Sequence, residues 1–210
     1  MSEVDEITSE DLAAAAALYT AWVKGETYSQ RAHTAALAYA DQIVLSKSDL
    51  DSVYGAYACS VATIEAHVSG YCKALLALQK VRLSELNEEA MAWLVARAMG
   101  VPVTLVRKNG ATTVQSAGQG FWTPRHADLA MSRWGITLRT YAPHGFMHDR
   151  ETMWGARTAR NTGGLLGDAG YGRTREQAIL RCAVSAEHPL GQTEFDVPSA
   201  LARNATPMKI

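Results

Sequence analysis

Between Phe121 and Arg139 the chain reads FWTPRHADLAMSRWGITLR, and these nineteen residues restrict the fold more than any other stretch. A helix start, a helix stop and a strand follow one another there with no spare residues. Thr123 is a favoured N-cap, and Pro124 suits the first helical position, where its missing N–H would have no partner in any case. The spacing predicts a helix over 124–133, with Leu129, Ala130 and Arg133 sharing faces with Trp122 or Trp134, two of the five tryptophans. Arg125 and His126 fall in the first turn with their polar ends free. Gly135 stops the helix, and Ile136, Leu138 and Thr140 then alternate with Thr137, Arg139 and Tyr141 as a half-buried strand does.

A chain of 210 residues that is 48% hydrophobic can build one good core or two small ones and is too apolar to stay disordered. No run of eighteen apolar residues exists, so no membrane span is expected. The acidic start MSEVDEITSEDL lacks the pattern of a secretory signal, which makes the cytoplasm the expected compartment. Cys59, Cys72 and Cys182 lie in apolar helical patterns without metal or redox spacing and are expected as buried thiols. Net charge is −1, but residues 1–80 hold five Lys and Arg against ten Asp and Glu, and the remainder holds fifteen against eleven. Between Arg107 and Arg181 the cations are nearly all arginine, the side chain shaped for bidentate recognition of phosphate or carboxylate. An anionic ligand for the second half follows.

Along the chain, helices are expected over 10–24 and 27–45, and a third after Ser48. Tyr57, Val61, Ile64, Val68, Tyr71, Leu75 and Leu78 of that third helix step at the three- and four-residue spacing of a packed seam. Residues 1–80 therefore form a helical bundle with a seam suited to homo-oligomerisation. A helix over 87–99, stopped by Gly100 and Pro102, opens the second part. Asn109-Gly110 predicts a hairpin between strands at 101–106 and 112–115, with a loop over 116–120. A strand is expected at 152–158 and a glycine-rich loop without periodicity at 160–173. Thr174 and Gln177 are spaced as a capping box for the last helix, and the tail around Asp196-Val197-Pro198 is expected as a loosely held edge. The fold class is α+β: an N-terminal helical bundle over 1–80, then a small antiparallel sheet covered by helices over 81–210.

Neither GxxxxGK[ST] nor GxGxxG occurs in the glycine-rich stretch, and no lysine lies in it. His126, His144, His148, Asp128 and Asp149 are the one conceivable metal set, but Pro143 and Gly145 break the helix that would align the histidines, so no metal and no cofactor is expected. No nucleophile has a recognisable base, which points away from an enzyme. Arginines and aromatics interleave through the second half, the mixture that stacks on bases and pairs phosphates. A net charge near zero argues against nucleic acid as partner and for a small anionic nucleotide-like ligand. The candidate ligand residues are Trp122, Arg125, His126, Arg139, Arg157, Tyr171, Arg173 and Arg175.

The succession LSELNEEAMAWLVARAMGVPV, WTPRHADLA, ITLR, MWGA, TREQAILRCAV and FDVP, over about 83–201, resembles the NinX family of small proteins of lambdoid phages and prophages. Trp93, Ala96 and Gly100, then Trp122-Thr123-Pro124, then Thr174, Ala178 and Arg181 carry the likeness, which implies a phage accessory protein. Asp128 departs from it, standing where that family usually has tryptophan. PRHADLAMSRW, with Asp128 and Trp134 four and ten residues after Pro124, is similar to the closing segment of phage sponge proteins that sequester cyclic ADP-ribose-type immune signals. That likeness implies a non-enzymatic anti-defence sponge. Direct inhibition of a host protein and degradation of a nucleotide signal are the alternatives.

Overall fold

Two helices of the second half begin on side chains, Asn87 and Thr174, that replace the missing backbone partners of a first turn. In the computed structural model, which describes residues 28–57, 64–108, 110–141, 153–158, 170–187 and 192–202, the chain combines helices with small sheets. It divides into two compact units: the described residues of Met1–Leu76 with Val106–Ala111, and those of Ala77–Leu105 with Thr112–Ile210. No helix among the described residues is long and apolar enough to cross a membrane.

In the first unit, α1 (Tyr28–Leu37), α2 (Lys47–Tyr57) and α3 (Ile64–Leu76) pack against one another. The expected helix over 10–24 lies outside the described residues. The expected helix over 27–45 stops at Leu37, and Ile43–Leu45 forms strand β1 instead. Ile43 and Leu45 are buried while Val44 faces out, a period of two that a helix cannot supply. The expected seam is also divided. Val68 and Leu75 are buried on α3, but Leu78 leaves the helix, is 55% exposed and starts a strand. Residues 106–111 complete this unit: the Ser46 N–H donates to the Arg107 carbonyl at 2.9 Å, and Arg107 Nε lies 3.3 Å from Asp49 Oδ1. Asp49 is 7% exposed, so this is a buried ion pair, and the Ser46 hydroxyl bonds the same carboxylate.

The second unit is organised around three parallel helices. They are α4 (Glu88–Met99), α5 (Pro124–Trp134) and α6 (Arg175–Glu187). Asn87 caps α4, its Oδ1 accepting the Ala90 N–H at 2.8 Å. The expected box of α6 forms: Thr174 Oγ accepts the Gln177 N–H at 3.2 Å, and Gln177 Oε1 accepts the Thr174 N–H at 3.3 Å. Gly100 and Gly135 end α4 and α5 in the left-handed region, at φ +69° and +59°. At the starting ends, Gln177 Nε2 donates to Glu88 at 2.6 Å and the Trp122 indole to the Glu176 carbonyl at 3.1 Å. At the finishing ends, Arg133 donates to the Ala98 carbonyl and the Trp134 indole to the Glu187 carboxylate, each at 2.8 Å. Like ends therefore lie together, and the dipoles are offset by Glu88, Glu89 and Glu176 in first turns and Arg97 and Arg133 in last turns.

α6 is buried on both sides, with Ala178, Ile179, Leu180, Cys182, Ala183 and Val184 in the core. One side meets α4 and α5, the other an antiparallel sheet of β6 (Thr137–Tyr141), β7 (Met153–Arg157) and β8 (Gly170–Gly172) in that order. The end of the expected glycine-rich loop is thus a strand, and residues 159–169 lie outside the described residues. A Cβ on Gly170 would come within 2.4 Å of the Ala178 carbonyl oxygen, and one on Gly172 within 2.7 Å of the Ala178 nitrogen.

Two further expectations are corrected. The stretch 116–120 is a second hairpin: Ala117 and Gly118 take positive φ, and β5 (Gln119–Gly120) pairs back onto β4 (Ala111–Ser116). Preceding β4, β3 (Thr104–Lys108) forms the expected first hairpin through Gly110. The tail is not loose, because β9 (Glu194–Pro198) pairs along its whole length with β2 (Leu78–Arg82). Lys80 faces Asp196 and Arg82 faces Glu194 across that ribbon, opposite charges directly opposed, while Val81, Phe195 and Val197 are buried.

Gly170→Ala should destabilise the protein by about 1–3 kcal/mol, since its neighbours there are backbone atoms that cannot turn aside. Gly70→Ala, at a helical glycine with nothing within 4 Å, should stabilise it. Urea midpoints measure both, and equal signs would contradict the packing. Arg107→Leu should cost about 3–5 kcal/mol by leaving the Asp49 charge buried without its ion-pair partner, and the double change Asp49→Leu with Arg107→Leu much less. A double-mutant cycle on urea midpoints checks this coupling.

Candidate functional site

Polar side chains at a helix start either cap that start or remain for a ligand, and hydrogen bonds show which. Five expected ligand residues, Trp122, Arg125, His126, Arg173 and Arg175, gather at the starting ends of α5 and α6. The Trp122 indole N–H is engaged with the Glu176 carbonyl, and its ring lies against Phe121 at 6.2 Å. Thr123 Oγ is not the cap of α5; it bonds His126 Nδ1 at 2.8 Å, and the His126 ring packs 4.5 Å from that of buried Phe121. Arg175 forks between Asp128, the Met131 sulfur at 3.3 Å and Glu176 at 3.6 Å. Its guanidinium is raised above its ordinary pKa chiefly by the Asp128 hydrogen bond. The Arg173 N–H donates to Gln177 Oε1 at 3.0 Å, and its side chain is exposed, as is that of Arg125. Asp128, Glu88, Glu89 and Glu176 stand among these cations. Trp122 and Arg175 of this cluster are inter-helix ties.

Glu89, which sequence reasoning did not single out, accepts the Val114 N–H at 2.7 Å where the β4–β5 ladder ends. Burial pushes its carboxyl above the usual range against the opposing pull of that N–H, with Glu88 adding to the rise. Nothing in its local spacing marks it, because its partner is on a strand twenty-five residues away.

The remaining three expected residues, Arg139, Arg157 and Tyr171, meet on one face of the β6–β7–β8 sheet. The register pairs Tyr141 with Met153, Arg139 with Gly155, Thr137 with Arg157, and Gly155 with Tyr171. Residues directly opposite share a face, and so do residues two apart on a strand. Gly170 and Gly172 face α6, so Thr137, Arg139, Tyr141, Met153, Gly155, Arg157 and Tyr171 line the outer face. The Arg139 guanidinium lies 5.0 Å over the Tyr141 ring, and the Tyr141 and Tyr171 rings are 5.9 Å apart at 43°. The Tyr171 backbone is held in turn by Arg181, whose guanidinium donates to its carbonyl. Tyr141, not among the expected ligand residues, shares this face through its spacing of two from Arg139. None of the seven face residues is a carboxylate.

No group of His, Cys, Asp or Glu able to hold a metal occurs among the described residues; His144, His148 and Asp149 lie outside them. Comparison with protein families, with curated proteins and with solved structures finds no match.

Burial, and secondarily Arg125, lowers the His126 pKa below its ordinary 6.5. The unfolded chain therefore binds the proton more readily, and stability present above pH 6.5 is lost as pH falls from there towards the folded pKa. Glu89 has the opposite sign: its raised pKa gives stability that is full below 4.5 and lost as pH rises through the folded value. His126→Gln should flatten the loss below pH 6.5, and Glu89→Gln should raise stability at neutral pH. Thermal midpoints across pH report both, and unchanged profiles would count against these assignments.

Proposed function

We propose that the chain is a non-enzymatic binding protein that sequesters a small anionic, nucleotide-derived signal on the outer face of β6–β7–β8. The observation that carries this is the Tyr141–Tyr171 ring pair beside Arg139 and Arg157, on a face where no described residue is a carboxylate. Rings stack on bases of any sequence, and guanidinium pairs phosphate in a fork. The Arg139 guanidinium lies 5.0 Å over the Tyr141 ring before any ligand arrives, so less freedom is lost on binding. The likeness of residues 83–201 to the NinX family, and of 124–134 to phage sponges, supports a phage-encoded anti-defence role in the bacterial cytoplasm.

The same proposal includes the finer architecture, an N-terminal helical bundle followed by a small antiparallel sheet covered by helices. In it the bundle mediates homo-oligomerisation through faces other than that of Val68 and Leu75, which are buried within the chain.

Calorimetry with a panel of cyclic nucleotides and ADP-ribose derivatives should show binding by at least one of them. Heating the loaded protein should release that compound chemically unchanged. Tyr171→Ala should weaken binding by about 1–3 kcal/mol, the worth of one base stack. Heat from none of the panel would end this reading, and a host protein recovered in its place would favour direct inhibition. Release of an altered compound would mark an enzyme.

A further inference from the structure

We propose that the outer edge of β2 receives an acidic, extended segment of a partner protein as an added strand. β2 and β9 form a ribbon of two strands, and among the described residues no third strand joins it. β9 is the inner strand, with Phe195, Val197 and Pro198 buried and α4 packed against it, whereas only Val81 of β2 is buried. Two hydrogen bonds fix the direction of the β2 backbone groups. The Leu83 N–H donates to the Thr193 carbonyl at 3.0 Å, and the Ser199 N–H to the Ala77 carbonyl at 2.9 Å. Bonding residues alternate in an antiparallel ladder, so Ala77, Gln79, Val81 and Leu83 turn their N–H and C=O groups to β9, while Leu78, Lys80 and Arg82 turn theirs outward. Glu85 Oε2 accepts the outward Arg82 N–H at 3.4 Å, which closes that end of the edge. The outward groups of Leu78 and Lys80 have no partner among the described residues, and both side chains are exposed, Leu78 by 55%. Unpaired N–H and C=O groups along an edge are a template for a further strand.

The side chains of β2 select the occupant. On its inner side β2 already faces a strand that sets Glu194 opposite Arg82, Asp196 opposite Lys80 and Pro198 opposite Leu78. An antiparallel strand reading acidic, any, acidic, any, apolar meets the same three side chains from the outer side. Such a strand would lie about 4.8 Å from β2 and about twice that from β9, so the β2 cations are its nearest charges and the β9 acids its distant ones. Neither Lys80 nor Arg82 is held in an ion pair among the described residues. A second copy offering its own β2 would bring the two Lys80 ammoniums opposite or diagonal to each other, and like charges across a pair are destabilising. The edge thus repels itself and attracts an acidic chain.

The test is amide hydrogen exchange, read by NMR on the full chain, with the end-capped peptide Thr-Glu-Thr-Asp-Thr-Val-Thr at millimolar concentration. In the protein alone the Leu78 and Lys80 amides should exchange fast, and those of Gln79 and Val81 slowly. The peptide should slow the first two severalfold and leave the second two as they were. Lys80→Glu, a change on an exposed face, should weaken peptide binding about threefold or more, since it replaces an attraction by a repulsion. The same peptide N-methylated at its aspartate keeps its charge but loses the N–H that the Lys80 carbonyl accepts, and it should leave the Lys80 amide unprotected. Equal protection by the N-methylated peptide would overturn strand addition. Equal protection by a peptide with lysine in place of both acids, or undiminished binding to Lys80→Glu, would overturn the preference for acid. Leu78 and Lys80 amides that stay fast throughout the titration would overturn the proposal as a whole. Protection of both amides without peptide, rising with protein concentration, would make a second copy the occupant and overturn it too.

Discussion

The backbone of β8 lies directly on α6, and no side chain fits between them. Gly170 and Gly172 meet Ala178, Cys182 and the stem of Gln177 at distances that only a missing Cβ allows. Because side chains alternate along a strand, fixing these two positions against the helix sends Tyr171 to the other side of the sheet. The register of β7 on β8 and β6 on β7 then carries the same choice to Arg157, Arg139 and Tyr141. A contact between backbone and helix, remote from any ligand chemistry, thus decides which side chains share the outer face. The small buried residues of α6, Ala178, Cys182 and Ala183, are the other half of that contact.

The opposite side of α6 imposes a different constraint. Parallel helices place like ends of their dipoles together, an arrangement that needs carboxylates at the shared start and cations at the shared finish. The chain supplies both, and adds indole and amide donors that reach from one helix to the next. Arginines and a tryptophan at such an end look like ligand groups in the sequence. In the folded unit they tie helices, as Trp122 does to Glu176 and Arg175 to Asp128.

What was legible in the sequence follows from the range of the interactions. Asn87, Thr123 and Thr174 mark helix starts within three or four residues, Gly100 and Gly135 mark stops, and Asn109-Gly110 marks a hairpin, so these elements could be placed from local chemistry. β1, β8 and β9 could not. Ile43, Val44 and Leu45 satisfy a helical pattern as well as a strand, and the hydrogen bond from Ser46 to Arg107 decides between them. Two glycines in three residues argue against a strand by propensity, and only the proximity of α6 reverses that. Leu78 continues a helical seam in sequence, yet faces Pro198, 120 positions away. The same limit applies to the site. Interleaved arginine and aromatic residues marked the second half, but their division into helix ties and sheet face depends on partners such as Glu176, fifty-four residues from Trp122.

That division decides where an anion is best received. Exposed ion pairs are worth little, on the order of 0–1 kcal/mol, so a phosphate could displace Asp128 from Arg175 at small cost. Displacement would not remove the carboxylate, however. Asp128 and Glu176 would stay within a few ångströms of the incoming charge, and their repulsion would offset much of what Arg175 provides. On the sheet face the Arg139 guanidinium lies 5.0 Å over the ring of Tyr141. The carboxylates within the helix-end cluster thus make it a poorer seat for an anion than its number of arginines suggests.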